Sequence, residues 1–455
     1  MTQHPYLPQT EDDQAGMLKA IGAASIAELF SPIPSELQLK TPLQLPKGLS
    51  EMELKETFQA LADKNLSTGR LESYLGAGAY EHFSPSLIGQ LLSRSEFYTS
   101  YTPYQPEMTQ GVLQSIFEWQ SCICSLTGMD VSNASLYEGG HALAEACLMA
   151  RAHSGRGKIV LGASVHPEYA QVLRTYTHNL DLEILQAPLG PDGRTDMEAL
   201  EAMVDGNTAA VVVAQPGFYG CLEDGDAFAS LAHAHGALLV ASVEPVSLAL
   251  LKSPGEFGAD IACGEGQSLG IPLSFGGPWL GFLACKTALV RRMPGRICGA
   301  TLDNRGQRGY VLTLQTREQH IRREKANSNI CTNQTLFAIA ATMYMSAMGP
   351  KGLEEVAEQG MQKAHYLADL LAAIPGCALP HAATFFNEFV LRLPKPASEV
   401  LTAMKAKGIL AGLDLARFDT PAQAGRPNDI LVCVTETKKK AQLDRFASTL
   451  REVCR

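Results

Sequence analysis

Long apolar runs are missing from this chain of 455 residues. The longest candidate, around 238–251, is interrupted by Glu244 and Pro245, well short of the roughly 20 apolar residues that a membrane-spanning helix needs. Basic clusters interleaved with aromatics are also missing. With a formal net charge of −10, the chain lacks the broad positive footprint of a nucleic-acid-binding surface. Its cysteines follow no metal or redox spacing. There are eleven, and the nearest pair, Cys122 and Cys124, has one residue between them. That excludes zinc-knuckle and thioredoxin patterns and points to free thiols in a reducing compartment. No internal repeat or low-complexity stretch stands out. The opening MTQHPYLPQTEDDQ has neither the apolar core of a secretory signal nor the basic character of a transit peptide. A cytoplasmic protein is therefore expected, with neither nucleic acid nor membrane as partner. At 46% hydrophobic and 18% charged residues, it can bury more than one core, so two or three domains are expected.

Three regions differ in texture. Residues 1–70 carry short amphipathic helices at 13–21, 25–30 and 51–64, separated by proline-rich links. Such an arm has little core of its own and is expected to wrap a larger body or a partner. Residues 71–350 alternate longer helical patterns (109–127, 140–153, 167–177, 197–204, 226–235) with short β-rich runs (158–161, 182–186, 209–214, 237–243). This alternation predicts an α/β domain with a mostly parallel sheet covered on both faces. Residues 351–455 read as a small C-terminal α/β domain, opening with a long helix over 352–373.

Two segments are dense in groups able to do chemistry. LQTREQHIRREKANSNICTNQ (314–334) places Arg317, His320, Arg323 and four further charged residues or neighbours in one short run. As a helix it would pair Glu318 with Arg322 and His320 with Glu324. A solvated, salt-bridged surface helix accounts for that spacing. The polar tail, with Asn327, Asn329, Cys331 and Thr332, exceeds what a helix cap needs. An anion or amino-acid site is the sharper alternative. In SEFYTSYTPYQPEMTQG (95–111), Pro103 and Pro106 forbid a continuing helix, and Thr109 is expected to cap the next one. The segment is either a proline-stiffened connector or a rigid finger. As a finger it would present Tyr101, Thr102, Tyr104, Gln105 and Glu107 to a polar cavity, tyrosine offering both a packing ring and a hydroxyl.

Glycine-rich elements divide. LGAGAY (75–80) lacks a third glycine and a strand–turn–helix context, so a dinucleotide loop is a poor reading. YEGGH (137–141) opens a helix and is either a plain turn or an anion site made of free amides. QPGFYG (215–220) follows a buried strand, where open α/β sheets place ligands.

An N-terminal arm, a large parallel-sheet domain and a small C-terminal α/β domain, in that order, resemble fold-type I pyridoxal-phosphate-dependent transferases. One group is conspicuously missing from that resemblance. Between Asp260 and Pro278, where such an enzyme holds its Schiff-base lysine, there is no lysine; the nearest are Lys252 and Lys286. The strand 237–243 ends without an aspartate for the pyridinium nitrogen, Glu244 being the nearest acid. Schiff-base chemistry requires an amine.

Several long blocks complete the picture: PYLPQTEDDQAGMLKAIGAASIAELFSPIP, SYTPYQPEMTQG, LTGMDVSNASLYEGGHALAEA, SPGEFGADIACGEGQSLGIPLSFGGPWLGFLACK and the 314–334 segment. With them the chain resembles the glycine cleavage system P-protein family. Within it, the likeness is to the N-terminal, alpha-type half found where that enzyme is split into two chains. The resemblance implies glycine decarboxylation on pyridoxal phosphate, with transfer of the aminomethyl group to the lipoyl arm of H-protein. It implies no catalytic residue in this chain. The cofactor-holding lysine belongs to a His-Lys-Thr motif of the second subunit, opposite Gly266-Gln267-Ser268 here. It also implies two copies of each subunit, in a system that includes T-protein and L-protein. The finger and the loop of Asn327, Asn329, Cys331 and Thr332 would then wall the active site or the substrate channel. Arg317, His320 and Arg323 would hold a carboxylate or fasten the subunits. A pseudoenzyme that only stabilises its partner, and a self-sufficient pyridoxal-phosphate enzyme, are the alternatives.

Overall fold

The structure is a computed structural model that describes residues 6, 9–98, 100–326, 328–418 and 426–455. The chain divides into two units, Met1–Leu66 and Ser67–Arg455. In the first, the helices Glu11–Ile21 and Glu51–Ala62 each begin with a reciprocal capping box, Thr10 with Asp13 and Ser50 with Glu53. A 3-10 helix, Ile26–Phe30, lies between them, and none of these three elements has a buried residue.

The second unit is built on a seven-stranded sheet: β1 (Val131–Ser132), β2 (Lys158–Leu161), β3 (Glu183–Gln186), β4 (Thr208–Gln215), β5 (Leu238–Val243), β6 (Ile261–Glu265) and β7 (Gly281–Cys285). Their order across the sheet is β1-β7-β6-β5-β4-β2-β3. All are parallel except β7, which runs antiparallel to both neighbours. The continuous apolar run of β4 follows from its central place, because a strand covered on both faces needs no polar alternation. Successive side chains point to opposite faces. Val211 and Val213 join a core with Trp119 and Phe228. Ala210 and Val212 meet Leu143, Cys147 and Ala150 on the other side. Trp119 belongs to helix α1 (Gln110–Thr127) and the latter three to helix α2 (Gly139–Ser154), which is buried on the sheet except toward its last turn.

An antiparallel ribbon, β8 (Ile297–Leu302) with β9 (Arg308–Thr313), leaves the sheet and packs on α1. Helix α3 (Thr335–Ala372) then carries the chain onward, broken at Gly349, where φ is 62° before Pro350. The C-terminal part adds a three-stranded antiparallel sheet, Glu388–Arg392, Asp429–Cys433 and Leu413–Asp414 in that order. It has its own apolar core with the second half of α3 and the final helix Lys440–Val453. The eleven cysteines are free thiols. Among the described residues no helix is long and apolar enough to cross a membrane.

Two local expectations fail. The charged run is not a continuous helix: Gln319–Arg322 makes one turn between 3-10 segments, and Arg323 has φ 53°. Glu318 accordingly turns toward Arg296 and His320, at 3.8 and 3.7 Å, rather than toward Arg322. Thr109 stands at the N-cap of α1 without capping it. Its hydroxyl instead donates to the Gln105 carbonyl at 2.8 Å.

Candidate functional site

The carboxyl ends of β4, β5 and β6 enclose a cavity of about 60 Å³ lined by Ser164, His166, Ser242, Glu244, Glu265 and Glu388, among others. This is where an open α/β sheet holds its ligand, yet small-molecule pockets generally span about 300–1,000 Å³. The groups around it are already engaged with one another. Glu265 accepts the Gly139 amide at 2.9 Å with one oxygen, and the Gln267 and Leu280 amides at 3.0 and 2.8 Å with the other. Glu138 accepts the Gly140 and His141 amides at 2.6 and 3.0 Å. The open amides at the start of α2, where an incoming phosphate would sit, are thus taken by two of the chain's own carboxylates. The reading of 137–141 as an anion site is corrected on that ground.

The lysine position is filled in the same way. Gln267, fully buried, accepts the Tyr80 amide at 2.8 Å and donates to the carbonyls of Tyr80 and Ile271 at 3.0 and 2.7 Å. Ser268 donates to Glu244 Oε1 at 2.5 Å, which also accepts the Val246 amide, and Oε2 accepts the Ser247 amide of the same turn. Glu388 accepts from the Ala77 amide at 2.7 Å and the Tyr80 hydroxyl at 2.8 Å. Burial pushes the Glu265 and Glu388 carboxyls up to about 7, with Glu138 adding to the first and Glu244 to the second. His166 accepts the Glu168 amide at Nδ1, so Nε2 carries the proton toward the Ala77 carbonyl at 2.9 Å; burial lowers its pKa. Pyridoxal phosphate does not fit this cavity as a covalent guest. Among the described residues that line it there is no lysine to hold it, and the Gly139, Gly140 and His141 amides are already taken by Glu265 and Glu138.

The two dense segments do come together elsewhere, at the surface. Arg296, just before β8 and 6% exposed, donates to the Tyr104 hydroxyl at 3.0 Å, the Cys331 carbonyl at 2.8 Å and Asn333 Oδ1 at 3.2 Å. Its guanidinium carbon lies 5.4 Å from the Tyr104 ring centre, and the His320 ring meets Tyr104 edge-on at 5.9 Å. The Cys331 amide donates to the Tyr137 hydroxyl at 3.1 Å, and Ser328 donates to Glu145 at 2.6 Å. Asn333 also donates to Ser135 Oγ at 2.9 Å, tying the loop to the body. Of the residues singled out from sequence, Tyr101 is 82% exposed. Gln105, Glu107, Asn329 and Cys331 are exposed, and Thr102 and Thr332 half-buried. Asn327 lies outside the described residues. Arg323 is exposed at the break. Arg317 points inward and donates to the carbonyls of Leu314, Met293 and Gly295. That fastens the chain's own loops and leaves the guanidinium buried. Sequence reasoning missed Arg296, which sits in an ordinary strand start with no neighbour that marks it.

A parallel sheet with one antiparallel strand and a ligand position at its carboxyl edge defines the fold-type I pyridoxal-phosphate fold, here without its lysine. The sphingosine-1-phosphate lyase of Burkholderia pseudomallei shares this fold with a TM-score of 0.65 at 16% identity, over 92% of this chain and 94% of its own. The family model of the glycine cleavage system P-protein matches residues 4–450, and the chain belongs to that family. A relative in Chlorobium luteolum, probable glycine dehydrogenase (decarboxylating) subunit 1, is 50% identical over 449 residues, covering 99% of this chain and 100% of the relative. The solved structure of glycine decarboxylase (P-protein) of the glycine cleavage system, in inhibitor-bound form, aligns with a TM-score of 0.89 at 43% identity. It covers 99% of this chain and 100% of that one.

Proposed function

We propose that the chain is the lysine-less subunit of a two-chain glycine decarboxylase of the glycine cleavage system. The carrying observation is the ligand position of a pyridoxal-phosphate fold closed by Gln267, Glu265 and Glu138 in a full-length member of that family. The lysine-bearing second subunit holds the cofactor covalently, two copies of each chain assemble, and the complex works in the cytoplasm. It passes the aminomethyl group from glycine to the lipoyl arm of H-protein, alongside T-protein and L-protein.

This chain's share is positional. Loss of a carboxylate is faster in a poorly solvated site with the labile bond held in one orientation. A long lipoyl-lysine arm must also be admitted while bulk water is excluded. The finger with Tyr101, Thr102, Tyr104, Gln105 and Glu107, and the loop with Asn327, Asn329, Cys331 and Thr332, form one wall of that shared site or channel. The exposed side of this cluster, with His320 and Arg323 beside it, meets the partner or a carboxylate. The stiffness given by Pro103 and Pro106, and the hydrogen bonds from Arg296, support this reading. The test is glycine–bicarbonate exchange with each chain alone and with both. Exchange is expected only when both are present. Full exchange by the second subunit alone would show that this chain is a stabiliser.

A further inference from the structure

Arg296 is the joint on which the finger and the loop both hang. Two segments distant in sequence meet at its guanidinium: the finger through the Tyr104 hydroxyl, and the loop through the Cys331 carbonyl and the Asn333 side chain. Its own backbone is fixed, since the Ala134 amide donates to the Arg296 carbonyl at 2.8 Å. One group is left over on each side of the neighbouring ion pair. Arg296 Nε and Glu318 Oε1 are both buried without a hydrogen-bond partner, and Nε stands 3.8 Å from Glu318 Oε2. Such a loosely closed pair leaves the charge of Arg296 available to its other acceptors. Tyr104 is 48% exposed and the Cys331 side chain is exposed, so neither segment is held here by deep packing. Few buried contacts make a segment easy to displace. The guanidinium suits the task because its planar fork reaches several acceptors at fixed angles, which a lysine ammonium does not.

We propose that Arg296 is a positioning residue for aminomethyl transfer. It holds the tyrosine finger against the Cys331 loop so that their shared surface admits the lipoyl arm of H-protein. This rests on the function proposed above and names the residue that sets the shape of the wall. Arg296 need not touch substrate; it acts through Tyr104 and the Cys331 backbone.

Three variants separate this role from folding. Arg296→Lys keeps the charge and loses the fork. The double change Arg296→Gln with Glu318→Gln removes both charges together, so neither is left buried alone. Tyr104→Phe removes one hydroxyl from a half-exposed ring and leaves the fold intact. Each is paired with the lysine-bearing subunit, the assembled complex is quantified by light scattering, and glycine decarboxylation is followed against glycine and against lipoylated H-protein. For the first two, KM for lipoylated H-protein rises about tenfold while KM for glycine moves less than about twofold. Tyr104→Phe gives a smaller rise of the same kind. An unchanged KM for H-protein in all three overturns the proposal. So does activity that falls only in proportion to lost assembly, the mark of a purely structural arginine. A wild-type pair without glycine decarboxylation overturns the underlying function and the proposal with it.

Discussion

Glu265 stands at the carboxyl end of β6 and takes the Gly139 amide, the first of helix α2, at 2.9 Å. A carboxylate thus occupies the place where an anion would otherwise bind. Introducing lysine at Gln267 or Ser268 therefore does not restore cofactor binding by itself. The single variants are expected to give no borohydride-reducible adduct with pyridoxal phosphate by absorbance. Adduct formation with Glu138 and Glu265 intact would refute this account of the closed cavity.

Buried carboxyls also set a pH dependence. Glu265 and Glu388 go from an ordinary 4.5 to about 7 in the fold. The folded chain therefore holds protons more readily than the unfolded chain between pH 4.5 and about 7. Stability present at the acid end of that window falls as pH rises through it. Thermal unfolding of the isolated chain at pH 5 and pH 8 checks this. Glu388→Gln is expected to flatten the difference by about 1–3 kcal/mol; an unaltered slope would show that Glu388 is not a source of it.

Arg317 is a structural clamp. Replacing it with Met leaves the carbonyls of Met293 and Gly295 without their donor, while the Leu314 carbonyl keeps the Arg317 backbone amide. The expected loss is about 2–4 kcal/mol in urea unfolding, since each stranded buried acceptor carries its desolvation cost. A loss within about 0.5 kcal/mol, the range of ordinary surface changes, would argue that other donors replace it.

Tyr101 and Asn329 face solvent in this chain. Tyr101→Ala and Asn329→Ala should change its stability by less than about 0.5 kcal/mol. Turnover of the assembled pair is expected to drop about tenfold or more. Unchanged turnover at full assembly would remove these side chains from the shared site.

The sheet and its surroundings were legible in the sequence because burial writes itself into local pattern. The run over 209–214 is continuous and apolar, as a strand covered on both faces must be, and it became β4. The missing lysine was legible as well, since an absence over 260–278 needs no geometry. Contacts between distant segments were not. Glu265 and Gly139 are 126 positions apart, and Arg296 and Tyr104 are 192 apart; no local periodicity couples them. The charged run misled for a different reason. Its spacing fits a helix, but Glu318 turns to Arg296 and His320, and Arg323 takes a left-handed φ that ends the turn. The break before Pro350 was legible as well: Gly349, with φ 62° and ψ 178°, is non-helical and divides Thr335–Ala372 into two helical stretches.

The central claim is a division of labour: this chain shapes the site and another chain holds the cofactor. Borohydride reduction of the reconstituted complex, followed by mass measurement of each separated chain, tests it most directly. The account predicts one pyridoxyl increment on the second subunit and an unmodified mass for this chain. A pyridoxyl increment on this chain, at Lys252, Lys286 or any other lysine in stoichiometric yield, would contradict it.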